Sequence, residues 1–253
     1  MSTERTGIDP ALWDREQRDY WSALAPEYDS FYRSRWSRLE NEWTEQQLAR
    51  LVPSSEAVVV DLGCGTGLGV ELLARHISLV NYLGVDISPE MTARTAQHGV
   101  ATHVGDMDNL TIVQSGSTDL VVSIFSAVSF SQDPSALFAE VHRVLKPGGT
   151  AYLSVLGRTT SKTPQPIRFR TRGAEGDRSS TPAFRFSPRT LRRLATEAGL
   201  RVERIEGMNS LSGVLERPIL WGLGRLIARL LPVTSHLLEL VCIQPVHKVG
   251  GTS

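Results

Sequence analysis

An apolar run, an acid and three alternating glycines stand together in residues 58–67 (VVVDLGCGTG). The acid is Asp61, and the glycines are Gly63, Gly65 and Gly67. Glycine permits a positive φ and lets a ligand approach the main chain closely. The amphipathic residues that follow predict a helix, whose first N–H groups lack partners within the helix. We therefore predict a strand–turn–helix unit that binds a polar ligand, with a ligand-free glycine-rich turn as the alternative.

The order of residues in this turn discriminates between nucleotide-like ligands. The dinucleotide pattern G-x-G-x-x-G fails because its third glycine position falls on Leu68, and the Gly-Lys-Ser/Thr of a P-loop is absent. Asp61 would repel a pyrophosphate at close range. An acid here suits a ligand with a positively charged amino group, and S-adenosylmethionine carries an ammonium, a sulfonium and one carboxylate.

Five segments in order resemble the class I S-adenosylmethionine-dependent methyltransferases of the small-molecule type. Residues 61–67 (DLGCGTG) resemble motif I, and residues 83–88 (LGVDIS) resemble the second strand with its terminal acid. Residues 104–107 (VGDM) resemble the end of the third strand, and residues 119–124 (DLVVSI) resemble the fourth strand. Residues 142–149 (HRVLKPGG) resemble the turn before the fifth strand. The resemblance is strong over residues 55–156 and looser in the flanks.

This resemblance implies a set of contacts with S-adenosylmethionine. Asp86 is expected to accept hydrogen bonds from the ribose hydroxyls at a solvent-facing strand end, and Asp106 to meet the adenine amino group. The fourth strand ends at Phe125, which is expected to face the transferable methyl group. Tyr28 and Tyr20 belong to an arm that resembles the family's lid, and Tyr28 is the main candidate of the two to contact the cofactor. Ordinary packing of an N-terminal helix onto the sheet explains these aromatic residues equally well. The predicted cofactor contacts are Tyr28, Asp61, Gly63, Cys64, Gly65, Gly67, Asp86, Ile87, Asp106, Met107 and Phe125.

No side chain is assigned as catalytic, and no metal is expected. The sequence has no Asn/Asp-Pro-Pro-Tyr/Phe motif of base-amino methyltransferases, no Pro-Cys nucleophile and no well-placed acid set for a magnesium site. Among the six histidines, only His236 is a candidate for a general base. The lack of an evident base favours N-methylation, or an O- or C-methylation driven by proximity.

Charge and composition restrict the partner and the location. Lys and Arg together number 27, as do Asp and Glu, so the 253-residue chain has a formal net charge of zero. This balance provides no global attraction to nucleic acid, which is not expected as a partner. The polar N-terminus is unlike a signal peptide, and no apolar run reaches the ~18 residues of a spanning helix. A cytoplasmic protein is the expectation, with the oligomeric state left open.

Strand and helix patterns alternate from residue 58 onward. They predict a Rossmann-like, doubly wound α/β sheet of seven strands, with the last strand antiparallel and ligands at the carboxyl ends of the parallel strands. The strands are expected near residues 58–62, 81–86, 101–104, 119–125, 150–156, 200–205 and 237–246. The helices of this part are expected near 67–76, 89–97 and 134–145, with a further helix starting at residues 187–188.

The chain divides into an N-terminal helical arm or lid at residues 1–52, a methyltransferase domain at 53–247 and a tail at 248–253. A helix is expected in the arm from Pro10 to about Leu24, where proline suits the first turn.

Two segments interrupt the domain. Residues 157–186 are a long basic connection, which we interpret as a solvated flexible loop, with a clamp for an anionic substrate as the alternative. Residues 208–236 are interpreted as an apolar cap inserted before the last strand. Its leucines share one helical face, which we expect to be buried on its own domain rather than on a membrane surface.

The sequence thus predicts an S-adenosylmethionine-dependent methyltransferase that acts on N, O or C of a small molecule, for instance in a biosynthetic pathway. Two alternatives stay open. One is a methyltransferase of macromolecules, and the other is a cofactor-binding fold used as a non-methylating scaffold or cyclase.

Overall fold

The computed structural model describes residues 9–171, 180–211 and 215–246. Nine strands are present in this part of the chain: β1 Val59–Leu62, β2 Tyr82–Asp86, β3 Ala101–Val104, β4 Thr118–Ser123, β5 Leu145–Leu156, β6 Gln165–Phe169, β7 Thr181–Arg185, β8 Arg201–Gly207 and β9 Leu237–Ile243. The α-helices in the same part are α1 Pro10–Leu24, α2 Arg35–Ala49, α3 Leu68–Leu73, α4 Pro89–Ala96, α5 Pro134–Val144, α6 Pro188–Glu197 and α7 Trp221–Leu230.

Seven of the strands form one sheet in the order β3-β2-β1-β4-β5-β9-β8. Strands β1 to β5 pair in parallel, whereas β9 runs antiparallel to both β5 and β8. Every residue of β1 is buried, as expected for a parallel strand with helices on both faces. The predicted Rossmann-like sheet with an antiparallel last strand is confirmed.

Local sequence signals explain where the helices start. Proline occupies the first turn of α1, α4, α5 and α6, where its missing N–H costs nothing. The preceding side chain accepts a hydrogen bond from the helix backbone in each case, for example Ser88 from the Met91 N–H at 3.1 Å and Ser187 from the Thr190 N–H at 3.1 Å. The predicted bounds of α1 coincide with the observed ones.

The flexible-loop interpretation of residues 157–186 is wrong for the described residues of that segment that form β6 and β7. These strands form an antiparallel hairpin outside the main sheet. Four of the five residues of β7 are buried, and the Phe184 ring stacks on Trp13 of α1 with ring centroids 5.3 Å apart. The segment is therefore held by apolar packing against the N-terminal helix. Arg172 and Arg178, two of the basic residues of this segment, lie outside the described residues.

The expected burial of the leucine face at residues 208–236 is also wrong. In α7 the buried residues are Gly224 and Ala228, while Leu223, Leu226 and Leu230 are exposed. The reason is a close approach of the helix backbone to the domain. A Cβ at Gly224 would lie 2.0 Å from Oδ1 of Asn209, so only a glycine fits at this contact.

Candidate functional site

The glycine turn follows β1 and has the conformation that its sequence requires. Gly63 and Gly65 have φ values of 70° and 55°. A Cβ at Gly63 would lie 2.3 Å from the Cβ of Ala127, so this position excludes any side chain. A Cβ at Gly65 would meet no atom closer than 4.0 Å, because this part of the main chain faces open space. The turn thus exposes its backbone to a ligand.

A cavity with an empty volume of about 680 Å³, part of it open to solvent, adjoins this turn at the carboxyl ends of the parallel strands. Most of the predicted cofactor contacts line it, namely Tyr28, Gly63, Gly65, Asp86, Ile87, Asp106, Met107 and Phe125. The structure therefore brings together residues from the arm and from the ends of four strands.

Three other predicted contacts do not line this cavity. The Asp61 side chain is fully buried and accepts a hydrogen bond from the Tyr82 hydroxyl. Cys64 is also buried and packs against Gly84, while Gly67 precedes the first residue of α3. These side-chain contacts of Asp61 and Cys64 are made with β2, away from the cavity. Contact of Asp61 with a ligand ammonium stays a prediction.

Asp86 is buried at the end of β2, not solvent-facing as expected. Its carboxylate accepts hydrogen bonds from the Gly65 N–H at 3.0 Å and from the Ser88 N–H at 2.9 Å. These bonds connect the glycine turn to the start of α4. Burial raises the pKa of Asp86 to about 6, partly offset by the backbone hydrogen bonds.

The Asp61 carboxyl should make the stability of the ligand-free protein depend on pH. Burial raises its pKa from 3.8 to about 7, so the folded state favours the protonated form. Its stabilising contribution is then fully present below pH 3.8 and is lost as the pH rises through about 7. We expect Asp61→Asn to remove this slope and to gain at least ~1 kcal/mol relative to wild type between pH 5 and pH 8.

Urea unfolding of wild type and Asp61→Asn at several pH values checks this expectation. A parallel pH dependence in both proteins would contradict it. Because the difference between the two proteins is measured, the titration of groups far from Asp61 cancels.

Helix α1 contributes to the cavity, although none of the predicted cofactor contacts lies in it. Asp14, Gln17 and Trp21 line it, and their spacings of three and four residues place them on one helical face. Tyr20 points elsewhere, because its hydroxyl accepts from the Thr171 N–H at 2.7 Å and anchors the hairpin. The four-residue spacing of Gln17 and Trp21 indicates that both side chains share one helical face, and this pattern could have predicted the contribution.

A second cavity adjoins the first. The two share Trp21, Tyr28, Phe125 and Phe130 as common wall residues. The second cavity is further lined by aromatic residues and by a smaller group of charged or titratable side chains, Glu40, Arg170, Glu216 and His236. This arrangement provides one chamber beside the glycine turn and another beyond an aromatic boundary.

The backbone at this boundary has an uncommon conformation. Phe125 and Ser126 have φ values of 49° and 74°, which are rare for residues with a side chain. The Ser126 N–H donates to the Ser154 hydroxyl at 2.8 Å, which holds the turn onto β5. Strain of this kind, tolerated only where the surroundings enforce it, clusters at functional sites. Here it places Phe125 against both cavities.

Comparison with known proteins agrees with this geometry. A family model described as a methyltransferase domain matches residues 60–153. The chain is 31% identical over 172 residues to a ubiquinone biosynthesis O-methyltransferase of Xanthomonas axonopodis pv. citri, covering 63% of this chain and 69% of that protein. The chain belongs to the class I S-adenosylmethionine-dependent methyltransferases.

This methyltransferase also matches a bifunctional protein and a solved structure. It is 33% identical over 166 residues to a biotin biosynthesis bifunctional protein of Teredinibacter turnerae, covering 60% of this chain but 28% of the relative. The chain spans less than half the length of several of the curated relatives that it matches. A solved S-adenosylmethionine-dependent methyltransferase from Mesorhizobium loti has the same fold, with a TM-score of 0.57, 20% identity and coverage of 80% of this chain and 97% of that one.

The cofactor of this methyltransferase is S-adenosylmethionine, and the residues around the first cavity fit it. The carboxylates of Asp86 and Asp106 can accept from hydroxyl and amino groups, while Ile87, Met107 and Phe125 offer apolar surface to a flat ring. The side-chain-free main chain at Gly65 leaves space for close approach. The described residues contain no metal-binding cluster of three or more His, Cys, Asp or Glu, and none of their helices is long and apolar enough to cross a bilayer.

Proposed function

We propose that this methyltransferase transfers a methyl group to a small molecule that occupies the second cavity. The observation that carries this proposal is the pair of adjoining cavities with a shared wall of Trp21, Tyr28, Phe125 and Phe130. One chamber fits the cofactor, and the other is next to it on the side of Phe125. A concave acceptor site with many aromatic wall residues suits a small molecule better than a folded macromolecule.

The roles of the residues in the first cavity are part of this proposal. Asp86 would accept from the ribose hydroxyls and Asp106 from the adenine amino group, while the backbone of Gly63 and Gly65 would border the rest of the cofactor. When bound, S-adenosylmethionine supplies a methyl group that is already activated. The protein then has to orient the acceptor and exclude water, and orientation alone contributes ~7–11 kcal/mol.

The proposed division of the chain gives the arm at residues 1–52 the role of a lid. Its helix α1 contributes Asp14, Gln17 and Trp21 to the cofactor cavity. It is held there by contacts with two other elements, since Gln17 donates to the Pro182 carbonyl at 2.5 Å and Ser22 lies 3.0 Å from the Ser88 hydroxyl. These bonds support a role in which the arm shields the cofactor from solvent.

The lining of the second cavity indicates the chemistry of the acceptor. Phe31, Phe130 and Phe169 offer apolar walls that suit an aromatic or otherwise hydrophobic compound. His236 is the candidate to take the proton that a hydroxyl acceptor loses. Relatives named ubiquinone biosynthesis O-methyltransferases support an O-methylation of this type. Arg170, from the basic segment after β6, would pair with an anionic group on the acceptor.

Transfer of a labelled methyl group tests the proposal directly. The protein is incubated with S-adenosylmethionine carrying a trideuterated methyl group and with sets of phenols, catechols and amines, and products are sought by mass spectrometry. We expect a labelled phenol-type product and release of S-adenosylhomocysteine. Binding of S-adenosylhomocysteine without transfer to any of these compounds would overturn the proposal in favour of a scaffold. Labelling confined to RNA or protein would favour a macromolecular acceptor.

A further inference from the structure

Helix α7 and the turn before it present a continuous apolar stripe to solvent. The stripe consists of Ile219, Leu223, Leu226 and Leu230, whose exposed fractions are 90%, 51%, 56% and 70%. Their spacings of four, three and four residues place them on one side of a helix. Clustered large apolar residues at the surface commonly mark an interaction site. We call these four residues the α7 stripe.

The opposite side of α7 is firmly packed, so the outward direction of the stripe is fixed. Ala228 is fully buried, and a Cβ on Gly207 would lie 3.1 Å from its Cβ. Arg225 places its guanidinium carbon 3.4 Å from the centre of the Trp43 ring and donates to the Gly207 carbonyl at 2.8 Å. Trp221 contacts Trp36 of α2 with ring centroids 5.1 Å apart. Rotation of the helix to bury its leucines would break all of these contacts.

The charged residues of the segment that carries the stripe, residues 217–238, are all arginines. No Asp or Glu occurs between Glu216 and Glu239, while arginines stand at 217, 225 and 229. Arg217 and Arg229 are exposed and flank the two ends of the stripe. Local charge thus differs from the net charge of zero of the whole chain.

The pattern of charge decides between the occupants that an apolar stripe could take. Antiparallel pairing of two copies would bring Arg217 of one chain towards Arg229 of the other, and like charges repel at short range. An anionic surface complements both arginines at once. Helix α7 has 10 residues and is about 15 Å long, which is too short to span a bilayer but suits a position in the plane of its interface.

We propose that the α7 stripe docks this protein onto an anionic lipid bilayer surface, with Arg217 and Arg229 on the headgroups. The docked face lies beside the second cavity, since Glu216 lines that cavity and directly precedes Arg217. A hydrophobic compound dissolved in the bilayer would then have a short path to the cavity. The docking itself does not depend on methyl transfer, so the two proposals fail or succeed separately.

Co-sedimentation with vesicles tests the proposal on the full chain. Vesicles of phosphatidylcholine with about one quarter phosphatidylglycerol are compared with vesicles of phosphatidylcholine alone. We expect binding to the anionic vesicles that weakens with salt. The triple variant L223S/L226S/L230S should bind at least ~10-fold more weakly, because it removes apolar side chains from the contact. The double variant R217Q/R229Q should lose about fivefold per arginine.

Val80→Ser is the matched control, because Val80 is an apolar side chain with 83% exposure outside α7. It should bind vesicles as wild type does. Circular dichroism and S-adenosylhomocysteine binding should be unchanged in all of these variants, which would show that the domain is folded. Equal sedimentation with both kinds of vesicle, or full binding by the triple leucine variant, would overturn the proposal. A wild-type dimer in light scattering that the leucine variant dissociates would assign the stripe to a second copy instead.

Discussion

Asp86→Asn is expected to weaken the binding of S-adenosylhomocysteine by ~10- to 150-fold, which corresponds to ~1.5–3 kcal/mol for hydrogen bonds to a charged group. The substitution removes the charge that would accept from the ribose hydroxyls. It also loses one of the two backbone hydrogen bonds, because the amide nitrogen cannot accept from the Gly65 or the Ser88 N–H. Asparagine is preferable to alanine because Asp86 is buried and its volume is retained. Isothermal titration calorimetry at pH 7.5 measures the change.

The pH dependence of wild type provides an internal control for this assignment. The pKa of Asp86 is raised to about 6, so its carboxyl is protonated increasingly as the pH falls below that value. Wild-type affinity should therefore decrease from pH 7 to pH 5, whereas the affinity of Asp86→Asn should change less. Thermal unfolding without ligand should show a folded variant. Equal affinity of both proteins at pH 7.5 would show that Asp86 does not bind the ribose hydroxyls.

Glu239→Ala is expected to reduce the free energy of unfolding by ~3–5 kcal/mol, the cost typical of breaking a buried charged network. Glu239 is almost fully buried in β9. It accepts from the Tyr152 hydroxyl and from Nε1 of Trp43, which lies 3.1 Å from both carboxylate oxygens. Alanine would leave these two donors buried without their acceptor. Burial raises the pKa of Glu239, and the nearby positive charge of Arg225 lowers it to a smaller extent. Alanine would leave Arg225 without this opposite charge.

Chemical denaturation measures this loss, and the neighbouring strand offers a matched control. Glu206 pairs with Glu239 in the register of β8 and β9, but it is partly exposed and lies 4.0 Å from Arg204. Glu206→Ala should cost less than ~1 kcal/mol, as is usual for a surface ion pair. A loss below ~1 kcal/mol in Glu239→Ala would show that the network contributes little to stability. Glu239→Gln should recover part of the stability because its carbonyl oxygen still accepts.

The part of the first cavity at the strand ends was predictable because its signals are local. The apolar run before Asp61 makes a buried strand, and the glycines after it permit the positive φ of the turn. The acid at the end of β2 follows from the same alternation of strand and helix. Proline with a preceding Ser or Asp marks helix starts without reference to any distant residue. These features need only neighbouring residues, and the structure has them where they were expected.

The parts that were missed depend on which distant surfaces meet. The helical spacing of the leucines in α7 is the same whether the stripe faces inward or outward, and the close approach at Gly224 to Asn209 decides the direction. The hairpin of β6 and β7 forms because Trp13 and Tyr20 of α1 are there to pack and bond with it. The same packing fixes the position of α1, and this position brings Asp14, Gln17 and Trp21 to the cavity.

The family, the Rossmann-like sheet and about half of the residues that line the first cavity were therefore predictable from the sequence, because short-range backbone preferences and strand ends specify them. Long-range packing, which local sequence does not reveal, buries Asp61 away from the first cavity, makes α1 a wall of that cavity and leaves the α7 stripe facing solvent. Burial is a property of pairs of surfaces, and such pairs are made by residues that are far apart in the chain.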